Sequence, residues 1–185
     1  TVLEGRATLE NAAAPFTVTV TGTGGQTQAL TGQKVLLATG SAPARLPVPG
    51  CDNPAVWTSD DLLGEPGAEA FQSLLIVGGG VIGVEMACVY ARLGVAVTIL
   101  EAESRCLPML DAELGRSAEM LLKGMGVTAL TGARLKSLAQ TGEGFTAEYE
   151  KNGAAQQVTC RRALLATGRI PVTEGLFAPS VQPEM

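Results

Sequence analysis

The sequence predicts an α/β chain, with a parallel sheet built as a βαβαβ unit, an antiparallel β-meander behind it and a β-rich segment in front. Three observations carry this expectation. A continuous apolar run at Ser73–Val77, suited to a strand buried on both faces, is followed by mostly apolar segments at Val95–Leu100 and Val127–Leu130 that read as its neighbours in a parallel sheet. Stretches of helical periodicity separate them. Alternating apolar and polar residues dominate before and after that block, the pattern of half-buried antiparallel strands.

From the N-terminus, Phe16–Val20 alternates and reads as a strand, Gly22–Gly25 as a turn, and Gln28–Leu30 as the start of the return strand. Lys34–Ala38 reads as a short buried strand ending at Thr39-Gly40-Ser41. Pro43, Pro47, Pro49, Gly50 and Pro54 then give linker composition, extended and averse to helix. Ser73–Val77 opens the parallel block. Val81–Leu93 reads as a helix stopped by Gly94. In the next helix Leu114, Ala118, Leu121, Leu122 and Met125 make the expected buried face, with Gly124 and Gly126 as its stop. Leu135–Leu138, Phe145–Tyr149 and Gln157–Cys160 form the meander, and Arg162–Ala166 returns to a buried strand. The tail from Phe177 on is polar, contains proline and is short of core residues.

Composition narrows the function classes. A hydrophobic content of 46% supports a packed core, and a net charge of −5 without a basic cluster argues against nucleic acid and anionic membrane as partners. No apolar run is long enough for a bilayer. No signal peptide leads the chain, which opens on Thr1-Val2-Leu3-Glu4-Gly5 like the middle of a protein. Cys51, Cys88, Cys106 and Cys160 lack metal-ligand or redox-pair spacing, so isolated thiols in a reducing cytoplasm are expected, with no metal. With no histidine, the commonest general base is missing.

Between a strand and a helix stands Gly78-x-Gly80-x-x-Gly83, the context that a Rossmann dinucleotide motif requires. Gly78 permits the sharp turn, Gly80 leaves room for a pyrophosphate at the backbone, and Gly83 lets the helix pack closely on the sheet. The helix N-terminus presents free N–H groups and partial positive charge to the phosphates. Glu101 ends the next strand, about 20 residues on, where a carboxylate accepts from ribose hydroxyls and repels a 2′-phosphate. That favours NAD(H) over NADP(H); Arg105 is the nearby cation that a 2′-phosphate would need. Glu85 lies in the first turns of the apolar helix, either as an acid favoured by the helix dipole or as a functional carboxylate.

Together these phrases resemble the pyridine nucleotide-disulfide oxidoreductase family. The matches are Ala38-Thr39-Gly40-Ser41-x-Pro43, the glycine motif running on to Glu85, Glu101, and Ala166-Thr167-Gly168-Arg169-x-Pro171, in family order up to about Leu176. The resemblance implies that Gly78, Gly79, Gly80, Val81, Ile82, Gly83 and Glu85 bind NAD, with Ile82 and Glu85 near the flavin–nicotinamide interface. It implies that Glu101 holds the adenosine ribose, that the backbone near Leu135 flanks the adenine, and that Gly168 passes the nicotinamide half. Thr39, Gly40 and Ser41 would lie at FAD, and the backbone near Ala7 at its adenine.

The family's N-terminal FAD glycine motif, its Cys-x-x-x-x-Cys pair with the lysine that partners the Glu85 position, its C-terminal Gly-Asp motif and its dimerisation domain with a catalytic histidine have no counterpart here. Val172 stands where the family often has asparagine. The expected organisation is residues 1–55 as part of an FAD domain with a linker, 56–170 as the NAD(H)-binding domain, and 171–185 as a tail leading back toward the FAD domain. The chain then carries no catalytic residue itself. The expected parent is a homodimeric flavoprotein that passes hydride between NADH and flavin and exchanges electrons with a small-molecule or protein disulfide. The alternatives are another reductase of the same fold, such as an NADH oxidase or a mercuric or ferredoxin-type reductase, or a stand-alone nucleotide-binding module.

Overall fold

The computed structural model describes residues 1–64 and 71–181. Its contacts divide the chain into two units, residues 1–42 with those from Pro171 on, and Pro43–Ile170.

The first unit is an antiparallel sheet of β1 (Arg6–Leu9), β2 (Phe16–Thr21) and β3 (Thr27–Gly32) in that order. The alternation in Phe16–Val20 builds β2 as expected, and Thr27 opens the return strand. The tail is better packed than its composition predicts. Leu9 N donates to Leu176 O at 2.8 Å and Ala178 N donates to Leu9 O at 2.9 Å. These bonds seat Ala178 and Val181 on Leu9 in a small core with Phe16, Val18 and Phe177; the rest of the predicted tail, 182–185, lies outside the described residues.

Lys34–Ala38 corrects the sequence expectation. It is not a strand, and it is exposed, with Leu36 at 90%. A strand needs a hydrogen-bonding neighbour, and no described strand pairs with this segment. The chain then enters β4 (Ser41–Pro43) and passes into the second unit.

The second unit runs β5 (Trp57–Thr58), α1 (Ser59–Gly64), β6 (Ser73–Val77), α2 (Val81–Arg92), β7 (Ala96–Leu100), α3 (Ala112–Gly124), β8 (Thr128–Leu130), β9 (Ala133–Thr141), β10 (Gly144–Lys151), β11 (Ala154–Cys160) and β12 (Arg162–Leu165), and β13 (Arg169–Pro171) leads out of it. Five strands form a parallel sheet in the order β5-β12-β6-β7-β8, and β9–β11 form the meander. The period of two along β6 sorts its side chains. Leu74 and Ile76 face a cluster with Ala87 and Tyr90 of α2 and Leu122 of α3. Leu75 and Val77 face a cluster with Leu135 and Leu138 of β9 and Phe145, Ala147 and Tyr149 of β10. Helices therefore cover one face and the meander covers the other, which is why every residue from Leu74 to Val77 is apolar. Each fully buried leucine or isoleucine contributes about 1.5–3 kcal/mol to holding these layers together.

The buried face of α3 differs from the expected one. Leu122 is buried at 1%, but Leu114 and Leu121 are 57% and 69% exposed. Neighbouring residues on a helix lie about 100° apart, and α3 is rotated so that Leu122 points into the core and Leu121 toward solvent. The helix instead approaches through Gly115, where an added Cβ would come within 2.8 Å of the Cys106 carbonyl oxygen.

At the start of α2, Gly83 rests on the turn that precedes it. A Cβ there would collide with Gly78 O and reach 3.4 Å from the Ile76 side chain. Gly83→Ala should therefore cost about 1–3 kcal/mol of stability as an overpacked contact. Gly124 ends α3 with open space around it, so Gly124→Ala should be neutral or gain roughly 0.5 kcal/mol. Chemical denaturation of both variants checks this; matching small shifts would show that α2 does not bear on the turn.

Candidate functional site

The carboxyl ends of β6, β7 and β12 open on a cavity of about 750 Å³, within the range of small-molecule sites. It lies at a topological switch point. From β6 the chain crosses by way of α2 to β7 on one side, whereas β12 occupies the other side, leaving a crevice above the strand ends. All residues around the cavity belong to the second unit.

Most of the sequence-predicted residues of this unit meet there. Gly78, Gly80, Val81, Ile82, Glu101, Leu135 and Gly168 line the cavity. Three do not. Gly79 is buried behind the turn, Gly83 is buried beneath it, and Glu85 is exposed further along α2. Glu85 thus escapes the burial cost that its apolar neighbours in the sequence imply.

The glycine turn is built by close approach. Gly78 has φ +108°, and a Cβ there would strike the carbonyl oxygen of Ala166 at the end of β12. Its N–H donates to Leu100 O at 2.8 Å, tying β6 to the end of β7. Gly80 is the N-cap of α2, and no side chain caps that helix. A Cβ on Gly80 would meet nothing within 4 Å. By contrast, Asp111 Oδ1 caps α3 by accepting from Glu113 N at 2.8 Å. The first turn of α2 therefore keeps N–H groups and the positive end of its dipole for whatever enters the cavity.

Glu101 faces this turn. It is 8% exposed, with Oε2 accepting from Gly79 N at 2.5 Å and Oε1 from Glu103 N at 2.7 Å. Two backbone amides thus stabilise a buried carboxylate, and each oxygen retains capacity for a further donor. Arg105 turns elsewhere: one guanidinium nitrogen donates to Pro108 O at 2.9 Å and to Leu110 O at 2.7 Å.

Part of the wall escaped sequence reasoning. Leu46, Pro47 and Val48 of the proline-rich stretch line the cavity. The stretch forms no helix, as its composition predicts, but it is not extended throughout: from Pro47 it runs through bends and turns, with Cys51 N donating to Val48 O at 3.0 Å. It is also pinned: Leu138 N donates to Pro49 O at 2.9 Å, and Arg45 donates to Cys51 O at 3.0 Å. Arg169 also lines the cavity, with Nη1 donating to Asp60 Oδ1 at 2.9 Å. Its place beside Gly168 in the second Ala-Thr-Gly phrase was the available signal. For Leu46–Val48 there was none, since their role depends on contacts with β9.

The four cysteines are free thiols. Cys106 sits against the glycine turn, where burial and the carboxylates of Glu119 and Glu101 push its thiol up to about 11. Burial likewise pushes Cys160 up to about 11. Both are protonated at neutral pH and are poor nucleophiles. Among the described residues no cluster of acids and cysteines is arranged for a metal, and no helix is long and apolar enough to cross a membrane. Ala7 lies in β1 opposite Val20; Thr39 and Gly40 lead into β4, which Ser41 begins. None of these four lines the cavity.

The chain matches the pyridine nucleotide-disulphide oxidoreductase family over residues 2–184. It is 36% identical over 165 residues to dihydrolipoyl dehydrogenase of Bacillus subtilis, covering 88% of this chain and 34% of that protein. It spans about a third of the length of such curated relatives. Among solved structures it is similar to the HOCl-induced flavoprotein disulfide reductase of Escherichia coli, with TM-score 0.72 and 30% identity, covering 95% of this chain and 38% of the other. It is also similar to the water-forming NADH oxidase of Lactobacillus brevis bound to NADH, with TM-score 0.69 and 26% identity, covering 89% of this chain and 38% of the other. Motif order, a parallel sheet with its crevice at the glycine turn, and a match along nearly the whole chain agree: this chain belongs to the pyridine nucleotide-disulphide oxidoreductase family.

Proposed function

We propose that the chain binds NAD(H) in the cavity above β6, β7 and β12, as the nicotinamide-binding portion of a dihydrolipoamide dehydrogenase-like flavoprotein. One observation carries this reading: the uncapped N-terminus of α2, with open space over Gly80, shares a cavity with the buried carboxylate of Glu101. An anion-seeking helix end and an acceptor for hydroxyl groups are the two polar elements that an adenosine diphosphate moiety needs.

In this reading the amides at Gly80, Val81 and Ile82 receive the pyrophosphate. Glu101 accepts from the adenosine ribose, and Leu135 flanks the adenine. Gly168 passes the nicotinamide half, with Ile82 and Glu85 toward the flavin. The bound nicotinamide supplies hydride chemistry; the protein orients it and excludes water. Ala7, Thr39, Gly40 and Ser41 would contact FAD. The parent reaction would move hydride between NADH and flavin, and electrons onward to a disulfide, in a cytoplasmic homodimer. The likeness to an NADH-bound oxidase supports the choice of nucleotide and also keeps an NADH oxidase as the second reading of the parent. Arg105 argues against NADP(H), because its guanidinium is engaged by loop carbonyls.

Titration of the chain with NADH and NADPH tests the assignment. NADH should bind at least about tenfold more tightly, a difference of ~1.4 kcal/mol. Glu101→Gln, which removes the charge that repels a 2′-phosphate, should erase most of that preference and leave measurable NADH binding. Equal affinities in the wild-type protein would reject the role of Glu101.

A second variant tests the turn. The Cβ of Gly80→Ala would project into open space, so thermal unfolding should move little. NADH affinity should fall at least about tenfold, because the methyl group occupies the approach of the phosphates. Unchanged affinity in the folded variant would remove the nucleotide from this turn.

A further inference from the structure

The loop that follows β7 grips the glycine turn at a residue that does not itself line the cavity. Gly79 N donates to Glu101 Oε2 at 2.5 Å, and Leu107 N donates to Gly79 O at 2.8 Å. Cys106 Sγ closes the remaining side, 3.0 Å from where a Gly79 Cβ would stand. Leu107 reaches Gly79 only by adopting φ +51°, a left-handed conformation that costs a leucine roughly 1–3 kcal/mol and persists only where neighbours enforce it. Arg105 supplies that enforcement. Its guanidinium bridges Pro108 O at 2.9 Å and Leu110 O at 2.7 Å, closing the loop on both sides of Met109. Its Nε is buried without a hydrogen-bond partner, and its stem packs under α3, with Cδ 3.2 Å from a Cβ built on Gly115. The same loop places Pro108 and Met109 on the cavity wall.

We propose that Arg105 is a positioning residue for nucleotide binding: by clamping the 105–110 loop it holds Leu107 and Cys106 on Gly79 and so fixes the glycine turn in its binding geometry. The assignment rests on the nucleotide-binding reading above and gives Arg105 a role that is blind to the 2′-phosphate.

The test compares NADH and NADPH titrations of the wild-type chain, Arg105→Ala and Arg105→Lys, with amide hydrogen exchange at Leu107 and Gly79. In Arg105→Ala both affinities should fall by the same factor, about fivefold or more. Lysine, which can still donate to the loop carbonyls, should restore part of the loss. Exchange at Leu107 should quicken in Arg105→Lys while the amides of β6 and β7 stay protected. That readout remains should the alanine variant not fold. Three results would overturn the proposal: unchanged NADH affinity in folded Arg105→Ala, a loss confined to NADPH, or unchanged exchange at Leu107 in the lysine variant. Wild-type protein that binds neither nucleotide would instead reject the nucleotide site itself.

Discussion

The site depends on how tightly three strand ends are drawn together. Gly78 N is bonded to Leu100 O, and the Gly78 Cα lies so close to Ala166 O that no side chain fits between them. Gly83 packs onto the same turn from the helix side. This convergence brings the start of α2, the carboxylate of Glu101 and the Thr167-Gly168 segment to one cavity. A single methyl group at Gly78 or Gly83 would have to push backbone apart rather than displace a flexible side chain, and backbone in a close-packed interior has little room to yield.

The charges around that point are arranged economically. An unpaired carboxylate buried beside a helix would be costly. Glu101 avoids the cost through two amide donors, one from the turn and one from its own loop. The same pair of bonds orders the turn before any ligand arrives. The N-terminal amides of α2 are left uncapped, whereas α3, which has no comparable place in the site, carries an aspartate cap. A protein selecting only for helix stability would gain a few tenths of a kcal/mol by replacing Gly80 with a residue whose side chain caps α2; the glycine keeps the approach open instead.

The meander has a structural part in the site as well as a covering one. It supplies the second face of the parallel sheet, burying Leu75, Val77, Leu100 and Leu165 where other sheets of this kind use helices. Its first strand carries Leu135 to the cavity, and Leu138 anchors the proline-rich stretch that forms another part of the wall. Stability of the core and shape of the cavity are therefore set by the same strand.

Local chemistry made much of this legible in the sequence. Mostly apolar runs mark β6, β7 and β12 because those strands are largely covered on both faces. The spacing of Gly78, Gly80 and Gly83 marks the turn because each glycine answers a local steric demand, and Glu101 is marked by its place at a strand end. Other features depended on which groups a segment meets across the fold, and only the tertiary structure decided them. Lys34–Ala38 has the composition of a buried strand, but no described strand pairs with it, so it stays exposed. The choice of Leu122 over Leu121 for the core follows from the rotation that Gly115 permits as α3 seats on the Cys106 loop. Arg105 reads in sequence as a cation free for a phosphate; the fold commits it to two carbonyl groups. Periodicity and backbone sterics are properties of neighbouring residues, whereas strand pairing and helix rotation require partners distant in the chain; the carbonyls that Arg105 meets are only three and five residues away, but they reach it through a loop conformation that periodicity does not encode.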